Sequence, residues 1–105
     1  MNTLSQSTPT ASIAEKGVAL VDFWAPWCGP CRTQKPVVEQ LAKEYTGRAS
    51  ISAVSVDDSP QLASDYGVYS IPTLVLLKDG TEVNRFVGVQ SAERLRNALD
   101  ALLAS

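Results

Sequence analysis

The chain has 105 residues, a net charge of −2 and 45% hydrophobic residues, which is enough for one domain with one sizeable core, expected over residues 1–105. This charge and the absence of runs of like charge argue against a nucleic-acid partner, and no apolar stretch is as long as a membrane span. The first fifteen residues hold no Lys or Arg, unlike a usual secretory signal, so we expect a cytoplasmic protein.

The N-terminal stretch is polar and carries only weak structural signals. Residues 1–8 predict at most a short edge strand. Thr8 is a typical helix N-cap, Pro9 is a typical first helical residue and Gly17 is a typical stop, so the pattern predicts a short helix over residues 9–16. The alternative is a loose arm.

The next stretch is the most apolar of the chain. Val18–Trp24 predicts a central strand buried on both faces, although Asp22 interrupts its apolar run. A helical pattern extends from Arg32 to Tyr45, and Pro36 lies inside it, where its ring and missing N–H should bend the helix. The predicted strand and helix are joined by a short segment that contains both cysteines.

The second half of the chain alternates strands with helices. The pattern predicts strands over 51–56, 73–77 and 82–87, a helix over 60–66, and a last amphipathic helix capped by Ser91. Asp79-Gly80 predicts an antiparallel hairpin, whereas helix-linked strands predict parallel pairing with right-handed crossovers. The predicted fold class is therefore α/β, with three layers around a mixed sheet of four to five strands.

The two cysteines, Cys28 and Cys31, are separated by only two residues. A ring this short gains little from loop closure compared with the roughly 3 kcal/mol of a ~15-residue loop, so a purely structural disulfide is a poor explanation. Two Cys without any His also fall short of the about four ligands of a closed zinc site, and His-dependent nucleophilic catalysis is excluded. The pair is interpreted as a redox dithiol that needs no metal.

The position of each thiol predicts its role. Cys28 lies at the start of the helix, where free N–H groups and the helix dipole lower the pKa of a thiol, so we expect it to attack a partner's disulfide. Cys31 lies one turn further on the same face, should be the less exposed thiol, and should resolve the mixed disulfide. Pro30 supplies neither charge nor N–H to the thiolate, so the reduced form is only moderately stabilised. A less stabilised reduced form has a lower reduction potential, so we expect the dithiol to donate electrons.

Two further residues carry chemical information. Asp22 is costly to bury in its ionised form, so burial should raise its pKa and prepare it to exchange a proton with Cys31. The alternative is an exposed carboxylate at the end of an edge strand. Pro72 opens a predicted strand after Ile71, where a cis bond is possible although base rates favour trans.

The segment Trp24–Cys31 resembles the active-site signature of the thioredoxin family. From about Gly17 to the C-terminus, the spacing of further segments is similar to that of the family. The matching segments are Val21–Trp24 with its acid, Pro36 in the long helix, Tyr66–Thr73 with the cis-proline, and Val87–Val89 with the glycine loop.

The resemblance implies a monomeric protein-disulfide reductase that uses no cofactor besides its Cys28–Cys31 disulfide. A thioredoxin reductase would recharge it, and its substrates would be disulfide-containing client proteins. Clients would bind beside the backbone of Ile71 by strand addition. The implied apolar rim consists of Trp27, Gly29, Pro30, Ile71, Pro72 and Gly88. The alternatives are a disulfide oxidase or isomerase on the same fold, and a non-catalytic scaffold subunit.

The sequence departs from the family pattern in a few places. Many members carry a Lys four residues before the acid that ends the third strand, which is predicted here over 51–56. Here that acid is Asp57 and the earlier position is Ala53, so Asp22 should lack a cationic partner and have an unusually high pKa. Tyr69 is either an exposed aromatic on the rim or a residue packed on a neighbour. The weak N-terminal signals predict a poorly formed first strand.

Overall fold

The computed structural model describes residues 16–105, which form four strands and three helices. The elements are, in order, β1 (Val18–Trp24), α1 (Gly29–Glu44), β2 (Ala49–Ser55), α2 (Pro60–Asp65), β3 (Thr73–Lys78), β4 (Thr81–Val87) and α3 (Ala92–Leu103). Each predicted element in this range is confirmed. The strand predicted within residues 1–8 and the helix predicted over 9–16 lie outside the described residues.

Helix α1 begins earlier than its apolar pattern predicted. Its first residues are Gly29 and Pro30, and Cys28 is the N-cap. Proline fits the first turn of a helix because the N–H that it lacks would have no helical partner there. The second cysteine, Cys31, therefore already belongs to the helix. The helix continues through Pro36 to Glu44.

The strands form one mixed sheet in the order β2-β1-β3-β4. β1 pairs in parallel with β2, as expected for strands joined by a helix, and β3 and β4 form the predicted antiparallel hairpin. Asp79 and Gly80 both have positive φ, 50° and 84°, as a two-residue turn of the favoured hairpin type requires. The expectation of parallel pairing for β3 was wrong, because the chain passes from β2 to the other side of β1 and returns antiparallel to it.

Alternate residues of β1 face two separate cores. One face packs on α2 through Ala19, Val21, Phe23, Leu62 and Ala63. The other packs on α1 and α3 through Val18, Leu20, Val38, Leu41, Leu95 and Leu99. The result is the predicted three-layer arrangement. Because side chains alternate along a strand, Asp22 lies on the same face as Leu20 and points towards α1.

Burial on both faces explains why the β1 sequence is almost entirely apolar. Each large apolar side chain in such a position stabilises the fold by roughly 1.5–3 kcal/mol relative to an exposed one. An ionised carboxylate in the same strand has the opposite effect, because it loses its hydration. Asp22 is thus an exception in a strand that is otherwise apolar, and it lies six residues before Cys28.

Candidate redox site

The centre of the site is a disulfide between Cys28 and Cys31, whose Cα atoms are 5.3 Å apart. The chain turns sharply after β1, where the Cys28 N–H donates to the Ala25 carbonyl at 3.1 Å. Cys28 then caps α1 with an extended backbone, and its Sγ accepts the Cys31 N–H at 3.2 Å. In the reduced state the same N–H and the helix dipole would favour a Cys28 thiolate.

Both sulfur-bearing residues are buried in this oxidised state. Cys28 is 5% exposed and Cys31 is 3% exposed, so the expected order of exposure holds by a small margin. They pack with Ala25 in a small cluster that Trp24 and Ile71 border. Access of a partner to Cys28 therefore depends on the segments that surround the disulfide.

One of these segments contains a cis peptide bond between Ile71 and Pro72, as the resemblance implied. The Ile71 carbonyl oxygen lies 3.8 Å from Cys28 Sγ. The Pro72 carbonyl accepts the Gly88 N–H at 2.8 Å, which joins this segment to the loop after β4. The disulfide, the cis-proline segment and the Gly88 loop thus meet at one edge of the sheet.

The residues predicted for the rim differ in exposure. Gly29 and Pro30 are exposed on the first turn of α1, and Ile71 and Gly88 are half-buried. Pro72, by contrast, is buried, so its visible contribution is the carbonyl that holds the Gly88 loop. Of these rim residues, Ile71 is the one whose carbonyl lies beside Cys28 Sγ.

Two aromatic side chains extend from this region into solvent. Trp27 is 66% exposed, and its indole N–H donates to the Asp57 carboxylate at 3.0 and 3.2 Å from the two oxygens. This hydrogen bond was not predicted from the sequence. Tyr69 is 96% exposed, so of its two interpretations the structure supports an exposed aromatic.

Asp22 is buried beneath the disulfide. It is 3% exposed in the central strand β1, so the interpretation as an exposed residue of an edge strand was wrong. Its Oδ1 atom receives no hydrogen bond from the described part of the chain. Loss of hydration raises the pKa of this carboxyl from 3.8 to about 6, in the direction that the sequence predicted.

A cavity of about 500 Å³ joins Asp22 to the second cysteine. Its lining includes Asp22, Cys31, Lys35, Glu39 and Ala53. Ala53 is the register partner of Asp22 on β2 and is exposed, so the cavity opens to solvent where a longer side chain would fill it. Burial is the sole cause of the raised pKa of Asp22, as expected if no cation pairs with it.

The sequence interpretation missed one buried polar residue of α1. Gln34 is fully buried, and its amide pairs with the backbone of Gln90. It occupies the same buried stripe of the helix as Cys31, Val38 and Leu41. A polar residue at an apolar position of a helical pattern was the available signal, but its partner could not be identified from the sequence.

Within residues 16–105, no cluster of three or more His, Cys, Asp or Glu side chains is arranged to hold a metal ion. In the same part of the chain, no helix has the length and apolarity required to cross a bilayer. The redox group of the site is supplied by its own side chains, Cys28 and Cys31.

A disulfide with so short a ring contributes little to the stability of a fold, whereas its first sulfur lies where a helix favours a thiolate. Its second sulfur shares a cavity with a carboxylate that can accept a proton near neutral pH. Such a site on this fold defines a thiol–disulfide oxidoreductase.

Comparison with known proteins gives the family. The family model described as Thioredoxin matches residues 1–101. A thioredoxin from Staphylococcus aureus is 52% identical over 89 residues, which cover 85% of this chain and 86% of that protein. A mutant thioredoxin from Halobacterium salinarum NRC-1 has a TM-score of 0.79 and 41% identity, over 86% of this chain and 78% of its own. Fasciola hepatica thioredoxin has a TM-score of 0.76 and 43% identity, over 84% of each chain.

The chain therefore belongs to the thioredoxin family and has the thioredoxin fold. Its function is thiol–disulfide reduction through the Cys28–Cys31 pair. The alternatives, an oxidase or isomerase and a non-catalytic scaffold subunit, are not favoured by these relatives.

Proposed function

We propose that the chain reduces client proteins by two successive thiol–disulfide exchanges in which Cys28 attacks first. The observation that carries this proposal is the position of Cys28 Sγ, which caps α1, accepts the Cys31 N–H and lies beside the Ile71 carbonyl. The Cys28 thiolate attacks one sulfur of the client disulfide, a mixed disulfide forms, and the other client sulfur leaves as a thiolate.

In the second exchange Cys31 attacks Cys28 Sγ. The bond between Cys28 and the client breaks, the client's second thiolate leaves, and the Cys28–Cys31 disulfide forms. The client thereby gains two electrons and this chain loses two. Cys31 must first lose its proton, and we assign Asp22 as the acceptor, through the cavity that both residues line. A carboxylate with a pKa of about 6 is a stronger base than an ordinary one and is still mostly ionised at pH 7.

Clients bind in this proposal along the groove beside the disulfide. The Ile71 backbone is the edge to which an extended client segment adds as a strand, because its carbonyl is adjacent to Cys28. Trp27, Gly29, Pro30 and Gly88 form the rim, and Pro72 supports it from below. Main-chain pairing accepts many client sequences, which suits a general reductase.

The proposed cellular setting is that of the thioredoxin family. We assign the chain as a monomer of one domain, residues 1–105, that acts in the cytoplasm as an electron carrier. A thioredoxin reductase returns its disulfide to the dithiol, and no cofactor beyond the disulfide takes part. The support for these assignments is the match to thioredoxins over most of the chain.

The test is a coupled assay with insulin as client and NADPH with a thioredoxin reductase as electron source. Wild type should turn over, and both Cys28→Ser and Cys31→Ser should abolish turnover. If dithiothreitol supports turnover but none of the thioredoxin reductases tried does, the assigned partner alone would be refuted. Persistent turnover of Cys28→Ser would refute the mechanism.

The role of Asp22 is tested with the same client under single-turnover conditions. Asp22→Asn should slow resolution of the mixed disulfide at pH 7 and leave its formation nearly unchanged, because only the second exchange needs the base. Asp58→Asn, which removes an exposed carboxylate from the turn after β2, is the matched control. Equal slowing of both exchanges by Asp22→Asn would refute this role.

A further inference from the structure

Gln34 is a fully buried amide in α1, one turn after Cys31. Its Nε2 donates to the Gln90 carbonyl at 3.1 Å, and its Oε1 accepts the Gln90 N–H at 2.6 Å. One side chain therefore satisfies both main-chain groups of a single residue, as a neighbouring strand does in a sheet. Gln90 lies between β4 and α3, where no strand is present to pair with it.

The same hydrogen-bonded chain continues to the client groove. The Gln90 side chain donates from Nε2 to the Gly88 carbonyl at 3.1 Å and to the Val87 carbonyl at 3.4 Å. The Gly88 N–H in turn donates to the Pro72 carbonyl at 2.8 Å. An unbroken path thus runs from Gln34, through Gln90 and Gly88, to the segment beside the disulfide.

We propose that Gln34 is a positioning residue that holds the Gly88 loop and the cis-proline segment in register with the dithiol. This inference rests on the proposed function, in which clients bind along Ile71 and Gly88. Cys28 caps α1, and Cys31 and Gln34 lie within it. The hydrogen-bonded pair of Gln34 with Gln90, called the clamp, therefore makes the sulfur atoms and the opposite wall of the groove move together. A client that pairs along the groove needs both at once.

The clamp should therefore matter for large clients and not for small disulfides. A small disulfide needs only the Cys28 thiolate, which the N-terminus of α1 supplies without the clamp. Removing the amide of Gln34 leaves the N–H and carbonyl of Gln90 without their partner, so the loop loses its fixed position. A residue that only filled the core would instead affect stability and leave the preference for clients unchanged.

The test compares two oxidants of the reduced full-length chain by stopped-flow fluorescence. For Gln34→Met, a change close in shape, the rate constant with insulin should fall about tenfold, equivalent to 1.4 kcal/mol. The rate constant with 2-hydroxyethyl disulfide should stay within about twofold, and so should the equilibrium with glutathione. Gln40→Met is the matched control, because Gln40 is an exposed glutamine of the same helix that pairs with Glu44 at 2.8 Å.

A second variant keeps the test decisive if Gln34→Met does not fold. Gln90→Ala retains the backbone pair with Gln34 and deletes only the side-chain donor to the Gly88 and Val87 carbonyls. It should lower the insulin rate about threefold, again without affecting the small disulfide. The inference is overturned if Gln34→Met changes both rates equally or neither, or, where that variant does not fold, if Gln90→Ala has no selective effect.

Wild type tests the proposed function separately. Its insulin rate should exceed its small-disulfide rate by about tenfold or more, because the groove adds binding to the reacting thiolate. Equal wild-type rates would contradict the proposed groove itself, whatever the Gln34 variants show. A selective wild type with an unselective effect of Gln34→Met would contradict only the role of Gln34.

Discussion

Replacing Asp22 with Asn should stabilise the folded chain at neutral pH. The carboxyl is 3% exposed, its Oδ1 receives no hydrogen bond from the described residues, and burial raises its pKa from 3.8 to about 6. The folded chain keeps this proton up to about pH 6, whereas the unfolded chain releases it near 3.8. At 1.36 kcal/mol per pH unit, the ionised carboxylate therefore costs the fold about 3 kcal/mol at pH 7.

The pH dependence follows from the same two pKa values. Below about pH 3 both states hold the proton, so the cost is absent. It grows between about pH 4 and 6 and is complete above pH 7, because the folded state is the one that binds more protons in this window. The gain of Asp22→Asn over wild type should therefore increase by about 2.4 kcal/mol from pH 4 to pH 7.

The assay is urea unfolding of the oxidised protein at a series of pH values, with the free energy of unfolding extrapolated to water. Asp58→Asn controls for the loss of one negative charge, because Asp58 is exposed in the turn after β2. A gain of the same size at pH 4 and pH 7 would contradict a destabilising charge at Asp22, and so would a loss of stability at pH 7. Either result would mean that the buried Asp22 carboxylate is stabilised by contacts other than those of the described residues.

Three further predictions concern single contacts. Ala53→Lys should lower the pKa of Asp22 from about 6 in an NMR titration, because a cation would enter the shared cavity, whereas Ala53→Gln should not. Tyr45→Phe should lower the free energy of unfolding by about 1 kcal/mol, because the buried hydroxyl donates to the Asp100 carboxylate at 2.7 Å. An unchanged urea midpoint would contradict this. Arg96→Ala should raise the pKa of Glu44 from about 2, because the guanidinium hydrogen-bonds the charged form, and an unshifted NMR titration would refute it.

Much of the fold could be predicted from periodicity alone. The apolar run of β1 predicted a strand buried on both faces, and Asp79-Gly80 predicted the hairpin, because both signals are local. The direction of β3 was predicted wrongly, since it depends on the route of the chain around β1 and not on residues within the strand. Local patterns specify elements, whereas the route of a connection is decided by packing of the whole sheet.

The site shows the same division. The burial of Asp22 could be predicted because the carboxylate lies inside an apolar run. The cis bond at Pro72 could be predicted only from the family resemblance, since base rates favour trans. The pairing of Gln34 with Gln90 joins residues 56 positions apart, and the sequence shows only that one position of a buried stripe is polar.

The most direct test of the account is to trap the mixed disulfide and identify the thiol that formed it. Reduced Cys31→Ser and reduced Cys28→Ser are mixed with a disulfide-containing client, quenched with acid and weighed as intact proteins. If Cys28 attacks first, Cys31→Ser gives a stable covalent adduct with the client and Cys28→Ser gives little or none. An adduct that forms equally well or better with Cys28→Ser would contradict the assigned order of attack.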